Sequence, residues 1–389
     1  MTIVAACSVL VVGTGTMVRS DAMSAVASGI VTKCVGSGPD HAVCYESEVP
    51  ALYPQFSVPQ LFDIIRSIRL GDPSYQFCHV LAHKVGERVV AEDPSAWIDA
   101  IPLNPPDGLC SNGFIHGVVG GRFRAEVLDD ATIEAFLEDF KAACEPREEW
   151  RPSDLDRAIC YHGLGHLYDF ITNADIPKAL SLCERTAPSD FRRVCVQGVF
   201  MQIYQPLEPD DYLLIEQMPV KPTKETVQQY CATFKEPLYV GSCLSESWPY
   251  AREELLDGTG VQSFCAGQPS ERETEQCYIT AASIVGRMSL SNAEQITRAC
   301  SGFPIAERAT CYTYSAQAVL EENLNDASKA VAVCLSAGGT TADQCIETLV
   351  DHALFTFGGR TTVHAEFCSS VPAKFRDRCF DTNALLPRK

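Results

Sequence analysis

One interval governs more than half of this chain. From Cys183 onward the cysteines fall into pairs, Cys183/Cys195, Cys231/Cys243, Cys265/Cys277, Cys300/Cys311, Cys334/Cys345 and Cys368/Cys379, whose members are 11 or 12 residues apart. From Cys231 on, each pair follows the last by 34 or 35 residues. A fixed period of that length means stacked supersecondary units, each too small to bury its own core. The expected fold is all-α: about eight disulfide-pinned helical hairpins wound into a solenoid, with a closed α/α toroid as the alternative.

The stretch from Ser291 to Glu321 shows how one unit is built. Ser291 with Glu294 is a capping-box pattern that predicts a helix over 293–300. Gly302 and Pro304 break it, and a second helix runs from about Glu307 through Cys311 to Leu320. The first cysteine ends one helix and the second lies in the first turns of the next, so a disulfide pins the hairpin across its loop. The same layout fits 329–357 and 362–386. The N-terminal units are larger. Cys144/Cys160 encloses a longer loop, Cys34/Cys44 a short one, and Cys78 and Cys110, each expected to open a helix, remain to pair with each other. The hairpin architecture resembles TPR-type solenoids, without their consensus.

Nineteen cysteines are too many for a reducing compartment unless they bind metal, and no C-x2-C spacing of a zinc or iron–sulfur module occurs. They read as disulfides of a secreted or periplasmic protein. The start agrees in part: Ile3 to Val18 is apolar and Asp21 to Gly29 is rich in small residues, although a basic leader is missing, so 1–29 reads as a signal peptide. Its removal takes away Cys7 and leaves an even number of cysteines. The rest divides into a His-bearing lobe (30–205), a proline-rich acidic connection (206–225) and regular repeats (226–389). The apolar start is too short for a confident spanning helix and no later run is longer, so no membrane span is expected in the mature chain. The net charge is −19, with acid and base interleaved and no Lys/Arg stripe, so nucleic acid is not an expected partner.

The chemistry lies where the repeats differ from one another. Three successive segments align on their cysteines: Cys110 to His116, Cys160 to His166 and Cys195 to Met201. In each, glycine stands three residues on (Gly113, Gly163, Gly198), and the sixth position is His116, His166 or Met201. The second position is Asn112, His162 or Gln197, and the segment after Cys78 fits with a one-residue offset as His79 and His83. Residues four apart share a helix face, so His79, Asn112, His162 and Gln197 form one layer, and His83, His116, His166 and Met201 the next. The H-x3-H pairs His79/His83 and His162/His166 resemble those of type-3 copper sites, a likeness confined to two short helices. Three imidazoles with an open position suit zinc and an activated water; three with Met201 suit copper. Glu87, one turn beyond His83, is the candidate general base. Asn112 and Gln197 are candidate contacts to a bound group. The later repeats lose both the glycine and the imidazole and read as scaffold or as a surface for a protein partner. The expected function is metal binding at His79, His83, His116, His162, His166 and Met201. The alternative is a non-enzymatic solenoid that binds a peptide or glycan on its concave face.

Overall fold

A computed structural model of the chain describes residues 14–36, 38–75, 77–123, 127–148, 150–289 and 291–381. It is 76% helical, with no strand among the described residues. All the anticipated pairs are disulfides, from Cys34–Cys44, Cys78–Cys110 and Cys144–Cys160 through the regular series to Cys368–Cys379. Cys7 lies outside the described residues.

The unit read from the sequence is realised as helices Ala293–Ser301 and Arg308–Glu322. Its cap sits one residue later than the capping-box pattern. Asn292 Oδ1 accepts from the backbone N–H groups of Glu294 and Gln295, each at 3.1 Å, while Ser291 occupies a left-handed turn at φ 65°. Asparagine caps as well as serine does, and the turn decides which of them is in position.

Seven inner helices pack side by side in chain order: α1 (His79–Glu92), α2 (Gly113–Phe123), α3 (Asp154–Ile171), α4 (Arg192–Tyr204), α5 (Pro237–Glu246), α6 (Glu271–Met288) and α7 (Arg308–Glu322). Glycine sets how near they come. A Cβ on Gly117 of α2 would lie 2.1 Å from His83 O of α1, and one on Gly198 of α4 would lie 2.1 Å from His162 O of α3. No side chain larger than hydrogen fits there, so the helical-propensity cost of glycine, up to about 1 kcal/mol each, is the condition of close packing.

The array curls until its C-terminal third rests on its N-terminal third. Leu324 N donates to Asp107 O at 3.0 Å, and Asn325 Nδ2 to Asp107 Oδ2 at 3.0 Å, across 218 residues. Arg360 forks onto Asp156 at 2.7 and 2.8 Å and reaches Ser153 Oγ at 3.1 Å. These bonds close the array, the arrangement the sequence left as the alternative to an open solenoid.

The N-terminal helix Thr14–Val35 packs on Val58–Gly71 and buries Met23, Ala27, Ile30 and Cys34. Gly29, where the leader was expected to end, lies inside this helix. Buried side chains form two clusters: one runs from Met23 to Leu244, and the other from Leu255 to Cys379 with Leu155 added. Leu214, Met218 and Val227 belong to the first cluster, so the core breaks after the proline-rich connection. No described helix is long and apolar enough to cross a membrane.

Candidate metal centre

The close packing of α1 to α4 turns one face of each towards a shared interior. His79 and His83 stand one turn apart on α1, with ring centres 4.5 Å apart. His116 of α2 lies 5.3 Å from His79 and 5.5 Å from His83. His162 and His166 of α3 follow, each 5.6 Å from His116, and Met201 of α4 closes the row beside His162. The glycine register explains the spacing. Gly113 brings α2 onto the His79 carbonyl, where a Cβ would sit 2.5 Å from its oxygen, and Gly163 leaves room for the His116 ring, which a Cβ would meet at 2.8 Å.

Four of the five imidazoles are anchored through one ring nitrogen. His79 Nδ1 donates to Cys110 O at 3.1 Å, His116 Nε2 to Ile159 O at 3.2 Å and His162 Nδ1 to Val194 O at 3.1 Å. His166 Nδ1 donates to Gln202 Oε1 at 2.8 Å, and His83 Nδ1 faces Glu208 Oε1 at 3.5 Å. A carbonyl oxygen can only accept, so the four hydrogen bonds place a proton on the named nitrogens of His79, His116, His162 and His166. A neutral His79 therefore carries a lone pair on Nε2, which is in hydrogen-bond contact with His83 Nε2 at 3.0 Å. The ligand atoms of His79, His83 and His116 all lie within 4.8 Å of one another.

The proline-rich connection forms one wall of the site. Helix Pro209–Glu216 starts on a capping box in which Asp211 Oδ2 accepts from the backbone N–H groups of Leu207 and Glu208 at 2.8 Å each. That turn directs Glu208 at His83, and Lys84 Nζ bridges Glu208 (3.1 Å) and Glu87 (2.9 Å). A cavity of about 50 Å³ lies among His79, His83, His116, His166, Met201 and Gln202, with Leu207 and Asp211 from the connection on its rim.

Burial holds His79, His116 and His162 well below the usual imidazole range, and neighbouring imidazoles add to the effect. They are neutral, the form that ligates metal. Arg287 of α6 adds a smaller push on His79 and His162, which shows that the C-terminal helices face the same interior. Next to it, burial pushes Glu246 of α5 up to about 8, against the pull of a 2.9 Å hydrogen bond from Gln205 Nε2 and of Arg287. A raised carboxyl pKa means that the folded state keeps a proton the unfolded chain has released. Its stabilising contribution is full below the ordinary value of 4.5 and is lost as pH rises to about 8. Glu246→Gln is expected to remove that slope. Unfolding free energies of the two proteins, measured between about pH 5 and about pH 8, should diverge in favour of the glutamine by at least about 2 kcal/mol.

The histidines and Met201 come together; other anticipated residues do not join them. Asn112 is left-handed (φ 57°) and accepts from Asn104 Nδ2 at 2.6 Å in the turn before α2. The helix expected to open at Cys110 starts instead at Gly113, because Cys110 to Asn112 form a left-handed turn that presents Cys110 O to His79. Gln197 is half-buried on α4 and does not line the cavity. Glu87 is ion-paired with Lys84, and the carboxylate beside His83 is Glu208 instead. Spacing could not find Glu208, Gln202 or Gln205, since none belongs to the aligned positions; Glu246 stands at the glycine position counted from Cys243, in a repeat that reads as scaffold.

Outside the cluster, His364 is buried against Phe357, and it neighbours Cys368 and Cys379. Those two sulfurs are joined in a disulfide and offer no thiolate to a metal. Glu347 and Asp351, both exposed, are bridged by Arg378. Compared with known proteins, the chain matches no family profile, no curated sequence and no solved structure.

Proposed function

We propose that this chain is an exported metal-binding protein, secreted or periplasmic, in which His79, His83 and His116 hold a copper or zinc ion between α1 and α2. The observation that carries the reading is the convergence of His79, His83 and His116, whose ligand atoms all lie within 4.8 Å of one another. Two nitrogens bound at about 2.0–2.1 Å to one ion stand about 3 Å apart, and the Nε2 atoms of His79 and His83 are 3.0 Å apart. The surrounding contacts fit the same role. Cys110 O takes the outer N–H of His79, and the Glu208 carboxylate faces Nδ1 of His83 at 3.5 Å, the places where outer partners of metal-bound histidines stand.

An ion with three nitrogen ligands keeps a position for water, which zinc would activate for hydrolysis and copper would exchange for redox chemistry. The cavity of about 50 Å³ has room for two or three waters, and is much smaller than a pocket for a peptide or glycan. One end of the Gln202 amide engages His166, and its Nε2 has no partner among the described residues, a donor placed for such a water. The C-terminal repeats serve as scaffold, closing the array and supplying Arg287 and Glu246 to the interior.

The test is elemental analysis of protein purified without an affinity tag, followed by titration of the metal-free form with Zn²⁺ and copper. About one equivalent of copper or zinc, found or taken up, is the expected result. Substoichiometric content of every transition metal with no uptake would overturn the reading.

A further inference from the structure

The interior also holds a pair of facing acceptors, at His162 and Met201. His162 Nε2 lies 3.2 Å from Met201 Sδ. The other nitrogen of His162 is committed, since Nδ1 donates to Val194 O at 3.1 Å and a carbonyl can only accept. A neutral His162 therefore turns an unprotonated Nε2 towards a thioether, which has lone pairs and no hydrogen. Packing alone does not explain this contact: an apolar partner would suit the sulfur better, and a donor would suit the nitrogen. A cation between them satisfies both.

From this contact we propose that His162 and Met201 form a second metal position, selective for a soft monovalent ion such as Cu(I). Thioether sulfur is a poor ligand for Zn²⁺ and a good one for Cu(I), and an imidazole beside it completes a soft nitrogen–sulfur pair. Two donors on neighbouring helices, α3 and α4, are brought together by the meeting of Gly165 and Gly198, where a Cβ on Gly198 would lie 3.2 Å from Gly165 Cα. His116 stands between the two positions, with ring centres 5.3 Å from His79 on one side and 5.6 Å from His162 on the other. The three-histidine site is built from nitrogen alone, so the two positions differ in the ion each prefers. The inference rests on the metal-binding reading above, but on different atoms, and the two can fail separately.

The experiment compares the full chain with Met201→Leu and with His83→Ala. Each is titrated anaerobically with Zn²⁺, and separately with Ag(I), the redox-inert stand-in for Cu(I), against a chromophoric chelator. All three proteins carry Cys7→Ser, because a free thiolate would take Ag(I) or Cu(I) ahead of a thioether. The parent is expected to bind both ions. Met201→Leu should keep its Zn²⁺ affinity within about threefold while its Ag(I) affinity falls at least about tenfold, since one of two ligands is lost. His83→Ala should lose Zn²⁺ and keep Ag(I). Copper X-ray absorption of the Cu(I)-loaded parent needs no variant and should show a sulfur neighbour at about 2.3 Å that is missing in Met201→Leu. Equal Ag(I) affinity in parent and Met201→Leu, or a copper shell without sulfur in the parent, overturns the second position and leaves the first intact. Loss of Zn²⁺ binding in the parent while Ag(I) binding depends on Met201 overturns the first and supports the second. Failure of the parent to bind either ion removes both.

Discussion

Gly198→Ala is expected to destabilise the protein by about 3 kcal/mol or more, although it adds a single methyl group and raises helix propensity. The added Cβ would stand 2.1 Å from His162 O and 3.2 Å from Gly165 Cα. Both obstacles are backbone, so relief requires α3 and α4 to move apart rather than a rotamer to change. That movement would also separate His162 from Met201, so stability and soft-metal binding should fall together. Gly120 provides the control. It lies in α2, and a Cβ there meets nothing within 4 Å. Gly120→Ala should be neutral or stabilising by up to about 1 kcal/mol, because only the backbone-entropy term remains. Thermal or denaturant unfolding of the two variants decides the point. Similar behaviour in both would mean that the helices are not packed at the observed distance.

His83→Ala should reduce affinity for the transition-metal ion far more than Glu208→Gln does, and neither should unfold the chain. His83 supplies one of three nitrogens and sits half-buried at the cavity, so its removal costs a donor and little apolar packing. Glu208→Gln keeps the size of the side chain but takes away the charge that faces His83 Nδ1 and pairs with Lys84. Outer partners of this kind are worth about 10–100-fold in metal affinity, so the glutamine variant should fall in that range and the alanine variant well below it. Isothermal titration with Zn²⁺ and a melting curve for each variant provide the readouts. If His83→Ala bound metal normally and melted far below the parent, the imidazole would be a packing residue and the functional reading would fall.

The repeat was legible because a disulfide ties cysteine spacing to geometry. A pair 11 or 12 residues apart can bridge only a hairpin with a short loop, and the recurrence of that pair forces stacking. The histidine register was legible for a related reason. Positions counted from the cysteine in, or just before, each inner helix fall on the same face of successive helices, so His83, His116 and His166 could be grouped from the sequence. The glycines in the same register announced close approach. Where the count failed, a local turn had intervened. The left-handed run at Cys110 to Asn112 turned Asn112 away towards Asn104, and Asn292 took the cap expected of Ser291.

By itself, the sequence determined the all-α class, the disulfide pairing of the regular repeats and which imidazoles share a face, because each follows from spacing along a single helix or hairpin; the pairing of Cys34 with Cys44 and of Cys78 with Cys110 was decided by the structure. Closure of the array was decided only by the tertiary structure, since Asp107 meets Asn325, and Asp156 meets Arg360, across more than two hundred residues. The same holds for Glu208, which reaches the site from a segment that reads as a linker, and for Glu246 and Arg287, which enter the interior from repeats without a histidine. Which ring nitrogen of His79, His116 and His162 donates was also decided there, by the carbonyls of Cys110, Ile159 and Val194 on neighbouring elements. The physical reason is common to all of these. A local pattern constrains directions within an element, whereas the partner of a side chain depends on how elements dock, and docking distance here was set by glycines that carry no functional group of their own.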